Sequence, residues 1–218
     1  MFRHATVAEP VRDELPEKSV LQKLRVRLWI FLSLGLFLLM SVSTSGWERE
    51  RPMVTALLFL VGAAFVGVAS MGRLWCSLYI AGRKTYELVT EGPYSVCRNP
   101  LYLFSWIGFV GVGCCSETLL VPALLAAAFA LYYSAVVKNE ETRLRALHGA
   151  RFADYVASTP RFLPRISRLT EPASYMVNPR IFRRHLFDAL LFVWCVGLLE
   201  LIEEAHKLGW LPQLLTLC

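Results

Sequence analysis

The sequence predicts an all-α integral membrane protein with about five transmembrane helices. Two observations support this class. Hydrophobic residues make up 56% of the 218 residues and charged residues 18%, whereas ordinary soluble domains have roughly 45–50% and 25%. In addition, four uncharged runs approach the roughly 20 residues that cross a bilayer: Leu28–Trp47, Pro52–Gly72, Asn99–Ser116 and Thr118–Val137.

A fifth span is predicted around Leu186–Ile202. It begins near Asp188 and reaches Glu200 before a full span is complete. Because an interfacial helix would show a cleaner polar stripe, we interpret this run as a span in which Glu200 faces protein or water.

The distribution of positive charge predicts the orientation. Of the 23 Lys and Arg residues, 20 lie before the first span, between the second and third, or between the fourth and fifth. The positive-inside rule therefore places the N-terminus and both of those connecting segments in the cytosol. The same rule accounts for most of the net charge of +6. Nucleic-acid binding is not expected, since no basic stripe is interleaved with aromatic residues.

The N-terminal arm, Met1–Lys18, is polar and has mixed charges. It lacks the pattern of a cleaved signal peptide, so we expect the first span to be an uncleaved anchor. After the second span the chain stays apolar through Leu74–Ile80, and this helix either runs beyond the bilayer or bends along its face. Gly82-Arg83-Lys84 is expected to end it.

A polar, turn-rich stretch, Thr90–Leu103, separates the second and third spans. Gly92-Pro93 marks a tight turn. Asn99-Pro100 indicates a helix start, because Asn can cap backbone N–H groups and Pro at the first helical position loses no hydrogen bond. Arg98 and the positive end of that helix would form an anion site.

Only Cys114–Glu117 connects the third and fourth spans. So short a link forces a tight hairpin, which brings Asn99 and Tyr102 next to Glu140 and Glu141. The fourth helix is predicted to continue through Leu147, break at His148-Gly149, and stop before Thr159–Pro164. The basic segment Arg165–Arg184 is expected to lie at the membrane surface.

Several other kinds of site find no support. The six cysteines form no CxxC pair and the four histidines are scattered, so no metal site is predicted. There is no phosphate-binding Walker loop, no GxGxxG and no Gly-x-Ser-x-Gly.

The ordered motifs Gly92-Pro93-Tyr94, Arg98-Asn99-Pro100-Leu101-Tyr102 and, about forty residues later, Glu140-Glu141 resemble the integral-membrane methyltransferase superfamily. This superfamily includes isoprenylcysteine carboxyl methyltransferases and phospholipid N-methyltransferases. The resemblance covers about Tyr86–Pro164.

The resemblance implies a cytosol-facing pocket for S-adenosylmethionine, formed by the third and fourth helices and the flanking loops, and a lipid or lipid-like methyl acceptor. Glu141 and Arg98 are the implied catalytic candidates, with Glu141 as a base if the acceptor is an amine. The implied cofactor-binding residues are Tyr86, Glu87, Leu88, Val89, Gly92, Tyr94, Arg98, Asn99, Pro100, Leu101, Tyr102 and Glu140.

Plainer interpretations of these residues remain open. Arg98 would also serve as a positive-inside anchor, the tyrosines as interfacial aromatics, and the two glutamates as a solvated helix end. Asn99 stands where many members have His. Val136 stands where isoprenylcysteine-type enzymes tend to have an Arg that faces the substrate carboxylate, which argues against a prenylcysteine acceptor of the eukaryotic kind.

Two functions other than methyl transfer are compatible with the same helical core. Sterol reductases share a related helical core but bind a nicotinamide cofactor, and a non-catalytic membrane scaffold would keep the fold alone. The expected organisation is an N-terminal arm and two-helix anchor in residues 1–82, a methyltransferase core in 83–164, and an interfacial segment with the last helix in 165–218.

Overall fold

The computed structural model describes residues 35, 37–81 and 87–217. By its contacts the chain divides into Met1–Leu39 and Met40–Cys218, and every element named below lies in the second unit. In chain order they are β1 (Ser43–Ser45), α1 (Trp47–Glu50), α2 (Pro52–Ile80), α3 (Pro93–Val96), α4 (Pro100–Cys114), α5 (Leu120–Ser158), a 3-10 turn (Ile166–Arg168), α6 (Pro179–Lys207) and β2 (Leu215–Leu217).

Local sequence signals explain where the helices begin. Proline occupies the first turn of α2, α4 and α6, where its missing N–H costs no hydrogen bond. The side chain of Asn178 caps α6 by accepting hydrogen bonds from the backbone N–H groups of Arg180 and Ile181. α5 contains a turn at Gly149 (φ 51°) and ends at Ser158, so the predicted break at His148-Gly149 and the stop before Thr159 are confirmed.

Within the described residues, three helices are long and apolar enough to cross a membrane: α2, α5 and α6. The predicted second and fifth spans lie within α2 and α6, and the predicted fourth span lies within α5 except for Thr118 and Leu119, which precede that helix. The predicted third span corresponds to α4, which has 15 residues and is therefore only about 22 Å long. It is shorter than the roughly 30 Å hydrocarbon core. The count of five spans is thus not reproduced in the part of the chain that the structure describes.

Most of the predicted first span lies outside the described residues. Its last part differs from the prediction, because the chain is extended at β1 and turns at α1 instead of staying helical to Trp47. β1 pairs in parallel with β2, with Ser43 opposite Leu215. The expectation of a purely helical chain missed this pairing, since strands of three residues carry almost no periodic signal.

The core joins α2, α4 and α6. Val66 and Ala69 of α2 pack with Val112 of α4 and Phe192 of α6, and α5 packs against α4. α2 continues to Ile80, which agrees with the predicted alternative that this helix runs on beyond the bilayer. Arg73 therefore lies inside a helix and not in a connecting loop. The predicted end at Gly82-Arg83-Lys84 lies outside the described residues.

Candidate functional site

The last turn of α2, the start of α4 and the middle of α5 meet at one end of the bundle, here called the motif end. A cleft lies at this end. Its wall contains nine of the residues predicted for the cofactor pocket: Glu87, Leu88, Val89, Tyr94, Arg98, Asn99, Leu101, Tyr102 and Glu140. Three further residues line it: Ile80, Leu144 and Tyr155.

The other predicted residues lie elsewhere. Gly92 and Pro100 are buried within the elements that carry the cleft wall and do not line it. Glu141 lies behind the wall, and Tyr86 is outside the described residues. Of the unpredicted lining residues, Leu144 could have been predicted from the sequence, because it follows Glu140 by four positions and so shares its helix face.

Glu140 and Tyr102 meet in the cleft. The Tyr102 hydroxyl donates a hydrogen bond of 2.5 Å to Oε2 of Glu140, and the Tyr102 ring packs at 4.9 Å from the Tyr133 ring. Tyr133 in turn stacks on Phe129 at 3.7 Å. The short hairpin between α4 and α5 thus brings Tyr102 next to Glu140, as predicted, and an aromatic stack orients the hydroxyl toward the carboxylate.

Glu141 belongs to a charged network behind the cleft. Its Oε1 accepts hydrogen bonds from Nε of Arg98 at 3.2 Å and from Nδ2 of Asn99 at 3.3 Å, while its Oε2 pairs with Arg161 at 3.1 Å. Both carboxylate oxygens are therefore engaged by protein donors. This arrangement favours a positioning role for Glu141 over the predicted role as a base.

Arg98 is also bound on several sides. Besides Glu141, its Nη1 donates to the backbone carbonyl oxygens of Val156 at 3.0 Å and Thr159 at 2.9 Å. These carbonyls belong to the end of α5, where the last C=O groups of a helix lack intrahelical partners. Arg98 therefore ties the start of α4 to the end of α5 in addition to lining the cleft.

Asn99 does not cap α4, contrary to the prediction. Its side chain makes no cap hydrogen bond and instead donates to Glu141 and to the carbonyl oxygen of Arg161 at 3.2 Å. The helix does begin at Pro100 as predicted. The capping prediction is wrong because the acceptors that α5 and the following loop supply compete for the amide, and only tertiary structure brings them there.

Arg161 was assigned no site role from the sequence. For an isolated arginine near a membrane, the sequence favours a contact with lipid. The one indication of a site role was the position of Arg161 in the proline-bounded segment Pro160–Pro164. In the structure Arg161 pairs with Glu141 and, at 5.8 Å, faces the ring of Phe162. It is the third charged member of the network.

The segment after α5 runs along residues 90–99, here called the motif loop, and hydrogen bonds join the two. Backbone hydrogen bonds join Arg98 N–H to Pro160 C=O at 2.8 Å, Arg165 N–H to Val96 C=O at 3.0 Å, and Gly92 N–H to Thr170 C=O at 2.8 Å. Two elements about 60 to 80 residues apart in sequence therefore form one unit at the motif end.

Two titratable side chains beside the cleft are strongly desolvated. Burial raises the pKa of the Tyr94 hydroxyl well above its usual range. Burial also raises the pKa of the Cys97 thiol to about 11, against weaker opposing effects of a backbone hydrogen bond from Asn99 and of the Arg98 charge. Both groups are thus neutral at pH 7, and Cys97 is not an activated nucleophile.

A larger cavity of about 590 Å³ lies at the other end of the bundle. It is lined by the segments that join the helices there, including Ser43 and Glu117, and by the last turns of α6, including Glu203 and His206. Glu140 follows Leu120, the first residue of α5, by 20 positions, or about 30 Å of helix. This cavity is therefore remote from the motif residues. Among the described residues no group of three or more His, Cys, Asp or Glu side chains could hold a metal ion.

Comparisons with known proteins match the part of the chain that forms this site. The family model described as "Phospholipid methyltransferase" matches residues 51–151, a range that includes α2, the motif loop, α4 and the carboxylates of α5. No solved structure is significantly similar to the chain.

Two relatives are similar over nearly the whole chain. The nickel-cobalt-cadmium resistance protein NccN of Alcaligenes xylosoxydans xylosoxydans is 38% identical over 202 residues, which cover 93% of each chain. The cobalt-zinc-cadmium resistance protein CzcN of Cupriavidus metallidurans is 38% identical over 193 residues, covering 88% of this chain and 89% of its own. This similarity shows that the chain belongs to the same family as NccN and CzcN, and the match of residues 51–151 assigns it to the integral-membrane methyltransferase superfamily that includes the phospholipid methyltransferases.

Proposed function

We propose that the protein is an S-adenosylmethionine-dependent methyltransferase that works at the cytosolic face of a membrane on a lipid or lipid-like acceptor. The observation that carries this proposal is the cleft itself. Residues predicted from the motifs line one continuous wall, and in that wall the Glu140 carboxylate is oriented by the Tyr102 hydroxyl at 2.5 Å.

The side chains of the cleft match the chemical groups of the cofactor. The carboxylates of Glu87 and Glu140 suit its ammonium and ribose hydroxyls, and Asn99 supplies an amide. Arg98 donates three hydrogen bonds to acceptors of the protein itself. Its main contribution to the cleft would therefore be a positive electrostatic potential that attracts the carboxylate of the cofactor. Apolar and aromatic side chains provide surfaces for an adenine ring.

The size of the cleft sets a condition on binding. It encloses about 80 Å³, whereas pockets for ligands of this size hold roughly 300–1,000 Å³. The cleft must therefore widen when the cofactor enters. The loop that carries Glu87, Leu88 and Val89 forms one side of the cleft and is the element whose displacement would open it.

When bound, S-adenosylmethionine supplies an electrophilic methyl group. The residues of the chain would then have to align the acceptor with that group, since an in-line displacement depends mainly on proximity and orientation. Glu140 and Tyr102 are the polar groups best placed to orient the reactants. A carboxylate or thiolate acceptor requires no base, and an amine acceptor would lose its proton to a nearby acceptor group.

The test is calorimetry with S-adenosylmethionine on the full-length protein in detergent. We expect binding by the wild type, at least about tenfold weaker binding by Glu140→Ala, because hydrogen bonds to charged groups are strong, and unchanged binding by Asp154→Ala. Asp154 is an exposed carboxylate on the same helix, so it controls for charge. If NADPH binds instead, the reductase alternative applies; if neither binds to folded protein, the scaffold alternative applies.

The names of NccN and CzcN suggest a physiological role. We expect expression of the wild type to raise the tolerance of a metal-sensitive bacterial strain to nickel, cobalt, zinc or cadmium, and the Glu140→Ala variant to give no such increase. Growth at graded metal concentrations measures this. Equal protection by both proteins, at matched expression, would separate the resistance role from methyl transfer.

A further inference from the structure

Arg73 lies on the face of α2 that leads to the cleft. Ile80 lines the cleft, and a residue seven positions earlier lies on the same side of a helix, about 10.5 Å away. The uncharged run 52–72 that precedes Arg73 is about 31 Å long in a helix, which matches the hydrocarbon core. Arg73 therefore lies at the depth of the lipid head groups, directly below the cleft.

The guanidinium points into the bundle and not toward lipid. Its Nη1 donates a hydrogen bond to Oγ of Ser105 on α4, and its Cζ lies 5.6 Å from the centre of the Phe192 ring on α6. Its Nε is buried and finds no hydrogen-bond partner among the described residues. An arginine that only anchored α2 at the membrane surface would extend toward the head groups, so this orientation requires another explanation.

The positive charge of Arg73 is not neutralised by direct contact. Among the residues that the structure describes, no acidic side chain forms an ion pair with it. Asp188 of α6 lies within electrostatic range, but its carboxylate pairs with His185 at 3.6 Å and is largely exposed. A desolvated cation without a counter-ion is costly, and a bound anion would remove that cost.

The position of Ser105 shows how far the Arg73 charge lies from Tyr102 and Glu140. Ser105 follows Tyr102 by three residues on α4, so the two side chains share a helix face and are separated by about 4.5 Å along the axis. Tyr102 contacts Glu140 in the cleft. An anion bound to the Arg73 guanidinium beside Ser105 would thus lie about one helical turn below the polar groups of the cleft.

We propose that Arg73, oriented by Ser105, binds an anionic group of the methyl acceptor, a phosphate or a carboxylate on a membrane-dissolved molecule. The proposal rests on the proposed methyltransferase function, and it adds the residue that recognises the acidic group of the acceptor. The acceptor carries its negative charge at head-group depth and its methylated atom about one turn farther from the hydrocarbon core. Arg73 is then the residue that selects acidic acceptors.

The experiment measures binding of simple amphiphiles to the full-length protein in an uncharged detergent. The probes are dodecyl phosphate, dodecanoate and, as the uncharged control, dodecanol. The variants are Arg73→Gln, Arg73→Lys and the matched control Arg143→Gln, which removes an exposed arginine from α5. S-adenosylmethionine binding is measured on every variant, both as a check of folding and as a separate test of the proposed function.

We expect at least one anionic probe to bind the wild type and Arg143→Gln at least about tenfold more tightly than Arg73→Gln, with Arg73→Lys between them. Dodecanol should not distinguish the variants. Preference for phosphate or for carboxylate identifies the acidic group. Equal binding to wild type and Arg73→Gln, or no preference for anions in the wild type, would overturn the proposal.

A second variant covers the case of misfolding, and cofactor binding separates the two proposals. If Arg73→Gln does not fold, Ser105→Ala replaces it and is expected to weaken the anionic probes several-fold, whereas unchanged binding would count against the site. If the wild type binds an anionic probe in an Arg73-dependent way but not S-adenosylmethionine, the methyltransferase function fails and the anion site remains.

Discussion

Two adjacent glutamates in this protein have different surroundings. Glu140 lines the cleft and accepts the Tyr102 hydrogen bond, whereas Glu141 is held by Arg98, Asn99 and Arg161. Successive residues of a helix point about 100° apart, so neighbouring carboxylates necessarily meet different partners. Under the proposed function, Glu140 would contact the ligand, and Glu141 would support the motif loop.

We expect Glu141→Gln to lower the free energy of unfolding by about 1–3 kcal/mol, because it leaves the guanidinium of Arg98 without its counter-charge in a largely buried place. The side chains of Arg98 and Glu141 are only 12% and 20% exposed. Glu140→Gln should lose less, since the amide oxygen still accepts the Tyr102 hydrogen bond. Thermal unfolding in detergent, followed by tryptophan fluorescence, measures both variants.

A double-mutant cycle with Arg161→Met isolates the second ion pair of Glu141. If Glu141→Gln were as stable as the wild type and yet abolished methyl transfer to an amine with cofactor binding intact, the network would not be its role. The base predicted from the sequence would then be the better assignment.

The helices α2 and α4 are in close backbone contact. A Cβ atom at Gly62 would lie 2.6 Å from the carbonyl oxygen of Gly111 and 2.8 Å from the backbone nitrogen of Cys115. Since backbone atoms cannot rotate away as side chains do, any larger residue forces the helices apart. This approach aligns α4 with α2 and so positions both Tyr102 and Ser105.

We expect Gly62→Ala to destabilise the protein by about 1–3 kcal/mol through overpacking. Gly67→Ala is the matched control, because it lies on the same helix with no atom within 4 Å of the added Cβ. It should be neutral or stabilising by up to about 1 kcal/mol, as alanine is the better helix former. Equal effects of the two substitutions would show that the helices do not meet at Gly62.

The bundle as a whole separates two chemically different ends. The motif end carries the cleft and the charged network, and the other end carries the larger cavity and the pairing of β1 with β2. Most basic residues of the sequence lie in segments that begin or end at the motif end, which favours a cytosolic orientation of the cleft.

Reporter fusions test this orientation. We expect alkaline phosphatase fused after Ser158, at the end of α5, to be inactive and the same enzyme fused to the C-terminus to be active, because α6 crosses the membrane between them. A green fluorescent protein fused at the same two points should give the opposite signals. Activity of the Ser158 fusion would reverse the orientation and place the cofactor cleft away from the cytosolic supply of S-adenosylmethionine.

Much of this architecture follows from local properties of the sequence. The length of an apolar run, Pro100 at a helix start and the break at His148-Gly149 depend on a few neighbouring residues, and all were predicted. The link Cys114–Glu117 is so short that it also predicts a tertiary contact, that of Tyr102 with Glu140, since a tight hairpin leaves its two helices few arrangements.

The partners of individual polar groups do not follow from local properties. Asn99 donates to Glu141 and to the Arg161 carbonyl instead of capping its own helix, and Arg73 turns inward to Ser105 instead of outward to lipid. Each choice depends on acceptors that lie about 30 to 60 residues away in the sequence. A hydrogen bond forms where donor and acceptor meet within about 3 Å, and only the packing of the whole bundle determines which groups come that close.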